Sequence, residues 1–160
     1  MLRWADVLAD RSLQNLAYKI ELDAEGRIVM TPASNRHGMF QSEIGGLLRQ
    51  MLSDGRTINE CSIATDDGVK VADVAWASAA FLREHRLATP FPVAPELCVE
   101  ITSPSNSRRD LAAKIATYLA KGAREVWVCD AKGKLTFYDH TGALKKSKLA
   151  PRFPGKISLA

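Results

Sequence analysis

No pair of cysteines in this sequence has the C-x-x-C spacing of a zinc or redox site. Only three are present, Cys61, Cys98 and Cys129, each in an apolar stretch. An odd, scattered set of this kind reads as buried small side chains in a reducing cytoplasm. Long apolar runs are lacking too. The longest, Val71 to Leu82, is interrupted by Asp73, so no membrane span is expected. The start, Met1-Leu2-Arg3-Trp4-Ala5-Asp6, has no signal-peptide apolar core. Neither a G-x-G-x-x-G nor a Walker loop occurs, which argues against a nucleotide-binding enzyme. Strong charge of one sign is absent as well. The net charge is +4, a mild basic bias that permits contact with phosphates without demanding it.

What is present is the make-up of a globular α/β chain. The 160 residues suit one domain, 1–160, and the 46% hydrophobic and 25% charged content supports an ordinary core. Trp4 to Leu13 carries a short helical pattern. Ala17 to Leu22 and Arg27 to Thr31 flank Asp23-Ala24-Glu25-Gly26 as a hairpin. Phe40, Ile44, Leu47, Leu48, Met51 and Leu52 fall on one arc of a helix that ends at Ser53-Asp54-Gly55. Strands are expected over Thr57 to Ala64, Val69 to Trp76, Glu96 to Thr102, Glu125 to Asp130 and Lys134 to Tyr138, with an edge strand over Leu144 to Leu149. A short helix is expected over Ser78 to Leu82 and a second long one over Arg108 to Lys121, closed by Gly122. The order predicts a mixed sheet flanked by helices.

Two acids sit where acids are costly. Asp73 shares a strand face with Val69 and Val71 under period-two alternation. Glu100 lies in Leu97-Cys98-Val99-Glu100-Ile101, one of the most apolar stretches of the chain. Ionised carboxylates in such places need a partner or a metal. Two that converge repel unless a cation stands between them, and Mg²⁺ takes hard oxygen ligands. Periodicity does not show that the two meet; solvated strand ends or pairs with Arg or Lys are the alternative. Lys114, between Leu111 and Tyr118 at helical spacing, borders the apolar stripe and could carry its ammonium to the acids. Asp110, four residues earlier, offers it a surface pair instead.

These residues carry a resemblance. Pro95-Glu96-Leu97-Cys98-Val99-Glu100-Ile101-Thr102-Ser103-Pro104-Ser105, then Arg109-Asp110-Leu111, Lys114 and Tyr118, resembles the Uma-two family, as does Gly122-Ala123-Arg124-Glu125-Val126-Trp127-Val128-Cys129-Asp130. Gly26 to Met30, Asn35-Arg36-His37 and Val71-Ala72-Asp73-Val74 also fit, and the likeness runs from about Tyr18 to Tyr138 with an echo at Phe153-Pro154-Gly155. That family is assigned to the PD-(D/E)XK nuclease superfamily. The resemblance implies a restriction-endonuclease-like fold, with Asp73 and Glu100 as the acidic pair. Thr102 stands where the superfamily usually has its lysine, so that role maps to Lys114 on the next helix. Ala72 replaces the proline before Asp73. Glu43 is the candidate for an additional helix acid.

The implied chemistry is Mg²⁺-dependent hydrolysis of a phosphodiester in nucleic acid, DNA foremost, with Mn²⁺ as a possible substitute. Asp73, Glu100 and the Ile101 carbonyl would hold the metal. Lys114 would orient the attacking water or stabilise charge on phosphorus, and Tyr118 and Asp110 would position Lys114. His37 is expected as a packed or capping residue close to the site. By analogy a homodimer is expected. The alternative is a catalytically silent nucleic-acid-binding or regulatory protein of the same fold. His85 and His140, the runs Arg108-Arg109 and Lys145-Lys146-Ser147-Lys148, and Trp4, Trp76 and Trp127 have ordinary readings as solvated faces or core.

Overall fold

The computed structural model describes residues 1–16, 18–104 and 106–160. Ala17, where the first hairpin strand is expected to begin, and Ser105 of the Ser-Pro-Ser turn lie outside the described residues.

A mixed sheet of eight strands is flanked by helices. The first hairpin is β1 (Tyr18–Leu22) and β2 (Ile28–Pro32). Two eleven-residue strands follow, β3 (Gly55–Thr65) and β4 (Gly68–Ser78), antiparallel and paired at all positions but one. The turn between them needs glycine: Gly68 has φ +81°, and a Cβ there would stand 2.2 Å from the Leu22 carbonyl of β1. β5 (Leu97–Ile101) pairs antiparallel with β4 and parallel with β6 (Glu125–Cys129), and β7 (Leu135–Asp139) and β8 (Gly142–Leu144) complete the edge.

Helices cover both faces. On one, α2 (Asn35–Met51) turns Phe40, Ile44 and Leu48, four residues apart, onto Val74, Leu97, Val99, Ile101 and Trp127. Leu48 is fully buried, so its truncation to alanine would cost about 2–5 kcal/mol. On the other face, α3 (Ala79–His85) and α4 (Arg108–Ala120) set Phe81 and Tyr118 against Ala75, Ala77, Cys98 and Val126. A short N-terminal helix, α1 (Trp4–Ala9), packs Trp4 and Val7 on Leu22, Val69 and Val71. Among the described residues no helix is long and apolar enough to cross a membrane.

The expected strand over Leu144 to Leu149 is a correction. β8 ends at Leu144, and the segment beyond it is held by one side chain. The buried Glu125 carboxylate accepts the backbone N–H groups of Lys148 and Leu149 at 2.7 and 2.9 Å, the Ser147 hydroxyl at 2.7 Å and the Trp127 indole N–H at 2.8 Å. Amides spent on a carboxylate are not available to a sheet ladder.

One feature of the sheet creates a cleft. β4 changes partner along its length: it meets β1 only at Leu22↔Val69 and meets β5 from Val74 onward. Continued in register, β1 would pair Glu21 with Lys70 and Ile20 with Val71, and β5 would pair Asp73 with Glu100 and Ala72 with Ile101. Instead β1 and β5 splay apart there, and Asp73 stands at the fork.

Candidate active site at the strand fork

At the fork, side chains replace missing ladder partners. Glu21 Oε1 accepts the Val71 N–H at 2.8 Å, and Asp73 Oδ2 accepts the Ile101 N–H at 2.6 Å. A third replacement lies on the other side of β4. The β3–β4 register skips the pair Glu60–Asp73, although Asn59↔Val74 and Cys61↔Ala72 are paired on either side. Glu60 is there in the left-handed region, φ 53°, and Gln41 Nε2 donates to both the Asp73 carbonyl and Glu60 Oε1 at 2.7 Å. That backbone conformation costs a side-chain-bearing residue about 1–2 kcal/mol.

The fork opens into a cleft of about 230 Å³ whose lining includes Lys19, His37, Glu60, Asp73, Glu100 and Lys114. Alternation on β5 sends Glu100 to the α4 side of the sheet, as alternation on β4 does for Asp73. Both are buried, with 4% and 1% of their surfaces exposed. Lys19 Nζ joins them, 2.9 Å from Asp73 Oδ1 and 3.2 Å from Glu100 Oε2. Lys114 Nζ, arriving from α4, is 3.2 Å from the same Glu100 oxygen and 3.0 Å from Glu21 Oε1. The Tyr118 hydroxyl donates to Glu100 Oε1 at 2.7 Å, and His37 Nε2 lies 3.1 Å from Asp73 Oδ1.

The electrostatics follow from this packing. Burial raises the Asp73 carboxyl, but Lys19, His37 and the Ile101 N–H outweigh it and hold the group at about 2. Glu100 moves the other way: its complete burial, helped by Asp73 and Glu21, prevails over Lys19 and Lys114 and raises it. The two carboxyls titrate as a pair, with protons taken up by the site as a whole. Burial opposes charge on Lys19, yet Glu100, Asp73 and Glu21 together raise its pKa, so it stays an ammonium. The hydrogen bond to Asp73 raises His37, against the effect of its partial burial. Burial, with Asp73 nearby, raises Glu60.

The structure thus brings Asp73, Glu100, Lys114, Tyr118 and His37 together. Tyr118 reaches Glu100 rather than Lys114. Asp110 is not in the cleft: it is exposed and forms a capping box with Ser107 at the start of α4. Glu43 is exposed on α2 and does not line the cleft. Four participants escape the sequence reading: Lys19, Glu21, Gln41 and Glu60. For Lys19 and Glu21 a signal exists, since two charged residues at i and i+2 of a short strand share one face. For Gln41 and Glu60 nothing in the pattern distinguishes them from surface residues.

In what metal could be held here, the donor set is informative. Two carboxylate oxygens on adjacent strands already meet at one cation, in a cleft open to solvent. Such a hard-oxygen pair suits Mg²⁺, which commonly uses one or two protein carboxylates and keeps several waters. Among the described residues no three His, Cys, Asp or Glu side chains converge as a complete metal cage.

The model of the Uma2 family, described as "Putative restriction endonuclease", matches residues 4–144. The chain belongs to the Uma2 family. A solved structure from Anabaena variabilis, described as a putative nuclease belonging to DUF820, superposes with a TM-score of 0.64 at 20% sequence identity, over 84% of this chain and 73% of that one. At that identity the likeness concerns the fold, and the fold it supports is the restriction-endonuclease-like one. No curated protein matches the chain. The matched span includes Asp73, Glu100 and Lys114, the three residues that meet in the cleft.

Proposed function

We propose that this Uma2 protein is a Mg²⁺-dependent endonuclease that hydrolyses phosphodiester bonds of nucleic acid, DNA foremost, in a reducing cytoplasm and as a homodimer. The observation that carries the reading is the meeting of Asp73, Glu100 and two lysine ammoniums in one open cleft, in a chain of a nuclease family.

Asp73 and Glu100, with the Ile101 carbonyl, are the residues that would hold Mg²⁺ or Mn²⁺. The ion supplies Lewis acidity toward a phosphodiester oxygen and activates water. Every other role belongs to the chain. Tyr118 and the Ile101 N–H fix the two carboxylates, so the acids are oriented before substrate arrives. His37 Nε2 lies beside Asp73 Oδ1, the oxygen that Lys19 also contacts, and helps fix it. Lys114, anchored by Glu21, presents a positive charge where negative charge grows on phosphorus or where a water must be aligned. The mild positive charge of the chain favours approach of a polyanion.

One observation favours a second reading, a nucleic-acid-binding or regulatory protein that does not cut. Lys19 and Lys114 already pair with Glu21, Asp73 and Glu100, so each acid has a cationic partner without an added ion. The test is direct. Purified protein with Mg²⁺ or Mn²⁺ should nick plasmid DNA, and Asp73→Asn, Glu100→Gln and Lys114→Met should each reduce cleavage at least about a hundredfold. DNA binding without cleavage by the wild type selects the second reading, and cleavage that survives all three changes rules the site out.

A further inference from the structure

Lys19 occupies an unusual place. Its side chain is 9% exposed, and its ammonium is the group that touches both Asp73 Oδ1 and Glu100 Oε2, with Glu21 Oε1 at 3.9 Å. Lys114 shares Glu100 Oε2 but has Glu21, not Asp73, as its second partner. The two lysines are therefore not equivalent: one bridges the acidic pair, the other flanks it. An ammonium stands about 3 Å from its carboxylate partners, whereas Mg²⁺ needs oxygens at about 2.0–2.1 Å. Two cations sharing the same two oxygens at those distances would also repel strongly.

We infer that Lys19 is a tethered counter-ion that fills the divalent position between Asp73 and Glu100, and that a metal ion binds by displacing it. The inference rests on the proposed metal site. It gives the apo protein a way to keep two buried carboxylates on neighbouring strands without loss of stability, because the chain carries its own cation. It also implies that metal affinity is set low by this residue in particular. The lysine sits on β1, across the fork from β5, so its release leaves the sheet ladder untouched.

Titration calorimetry with MgCl₂ and MnCl₂ tests this on the wild type, Lys19→Met, Lys114→Met and Asp73→Asn. Melting temperatures are read in EDTA and in saturating Mg²⁺. Lys19→Met should melt roughly 6–12 °C below the wild type in EDTA, since it strands a buried acidic pair, and should recover most of this in Mg²⁺. It should bind Mg²⁺ about tenfold or more tightly than the wild type, with Lys114→Met showing clearly less gain. Should Lys19→Met fail to fold, reductive methylation of the wild type read by mass spectrometry decides: Lys19 should be protected in EDTA and react faster in Mg²⁺. Equal behaviour of the two lysine variants, or Lys19 reactivity indifferent to Mg²⁺, overturns the inference. If the wild type still binds Mg²⁺ through Asp73, the metal site survives that failure. If neither the wild type nor Lys19→Met binds metal, both fall.

Discussion

Glu21 Oε1 accepts the backbone N–H of Val71 at 2.8 Å and so takes the place of a strand that has veered away. The same oxygen receives Lys114 at 3.0 Å, which ties the sheet's fork to α4. Glu21→Ala should therefore orphan a buried amide and free Lys114, and destabilise by about 1–3 kcal/mol. Glu21→Gln keeps an acceptor for Val71 and should lose clearly less stability. Both should lower cleavage, Glu21→Ala because Lys114 loses its anchor and Glu21→Gln, by less, because the anchor loses its charge. Urea unfolding beside a nicking assay checks the pair; equal stability loss in the two variants would show that the amide contact is immaterial.

Tyr118 is fully buried and gives its hydroxyl proton to Glu100 Oε1 at 2.7 Å. Tyr118→Phe removes one of the donors that favour the charged form of an already raised carboxyl. The expected cost is about 1.5–3 kcal/mol of stability. The acidic limb of the pH–rate profile should move to higher pH, a shift that simple loosening of the core would not produce.

Stability in EDTA should depend on pH through Asp73. Its folded value, about 2, lies below its ordinary value of 3.8, so its stabilising contribution is present above about pH 4 and is lost as pH falls toward 2. Glu100 acts with the opposite sign: raised in the fold, it gives back stability when protonated. Melting temperature plotted against pH should therefore rise on initial acidification, where the raised Glu100 and His37 gain protons in the fold, and then drop as Asp73 is protonated. In Asp73→Asn the final drop should be shallower; an unchanged drop would place the acid sensitivity elsewhere.

Glu125 offers a control remote from this chemistry. Its carboxylate holds the segment at Ser147, Lys148 and Leu149, together with the Trp127 indole. Glu125→Ala should cost roughly 3–5 kcal/mol by leaving several donors unpaired. Mg²⁺ affinity measured well below the melting temperature should be unchanged, and a change would link this anchor to the cleft.

How much of this was legible in the sequence depends on whether a residue's environment is local. The strands around Asp73 and Glu100 and the two long helices declare themselves, because alternation and 3.6-residue spacing report burial directly. That both acids lie on one side of the sheet depends on the register of β4 against β5, which those patterns do not report. The partners of Lys114 were not readable: whether it meets Asp110 or Glu100 depends on how α4 lies across β5, and Asp110 turned out to spend its oxygens on Ser107. Lys19 and Glu21 escaped because their hairpin strand was weighed by its apolar residues. The strand expected over Leu144 to Leu149 failed for a nonlocal reason, the carboxylate of Glu125 claiming two of its amides. Glu60 was the least accessible, since its left-handed backbone is imposed by the pairing it interrupts.

The fork also has a consequence for the chain during its synthesis. Lys19 and Glu100 are 81 positions apart, and Lys114 reaches back 93 positions to Glu21. A nascent polypeptide that has emerged only through β4 owns Asp73 and Lys19 but neither Glu100 nor Lys114. The four side chains can therefore meet only once α4, the last long helix, has docked.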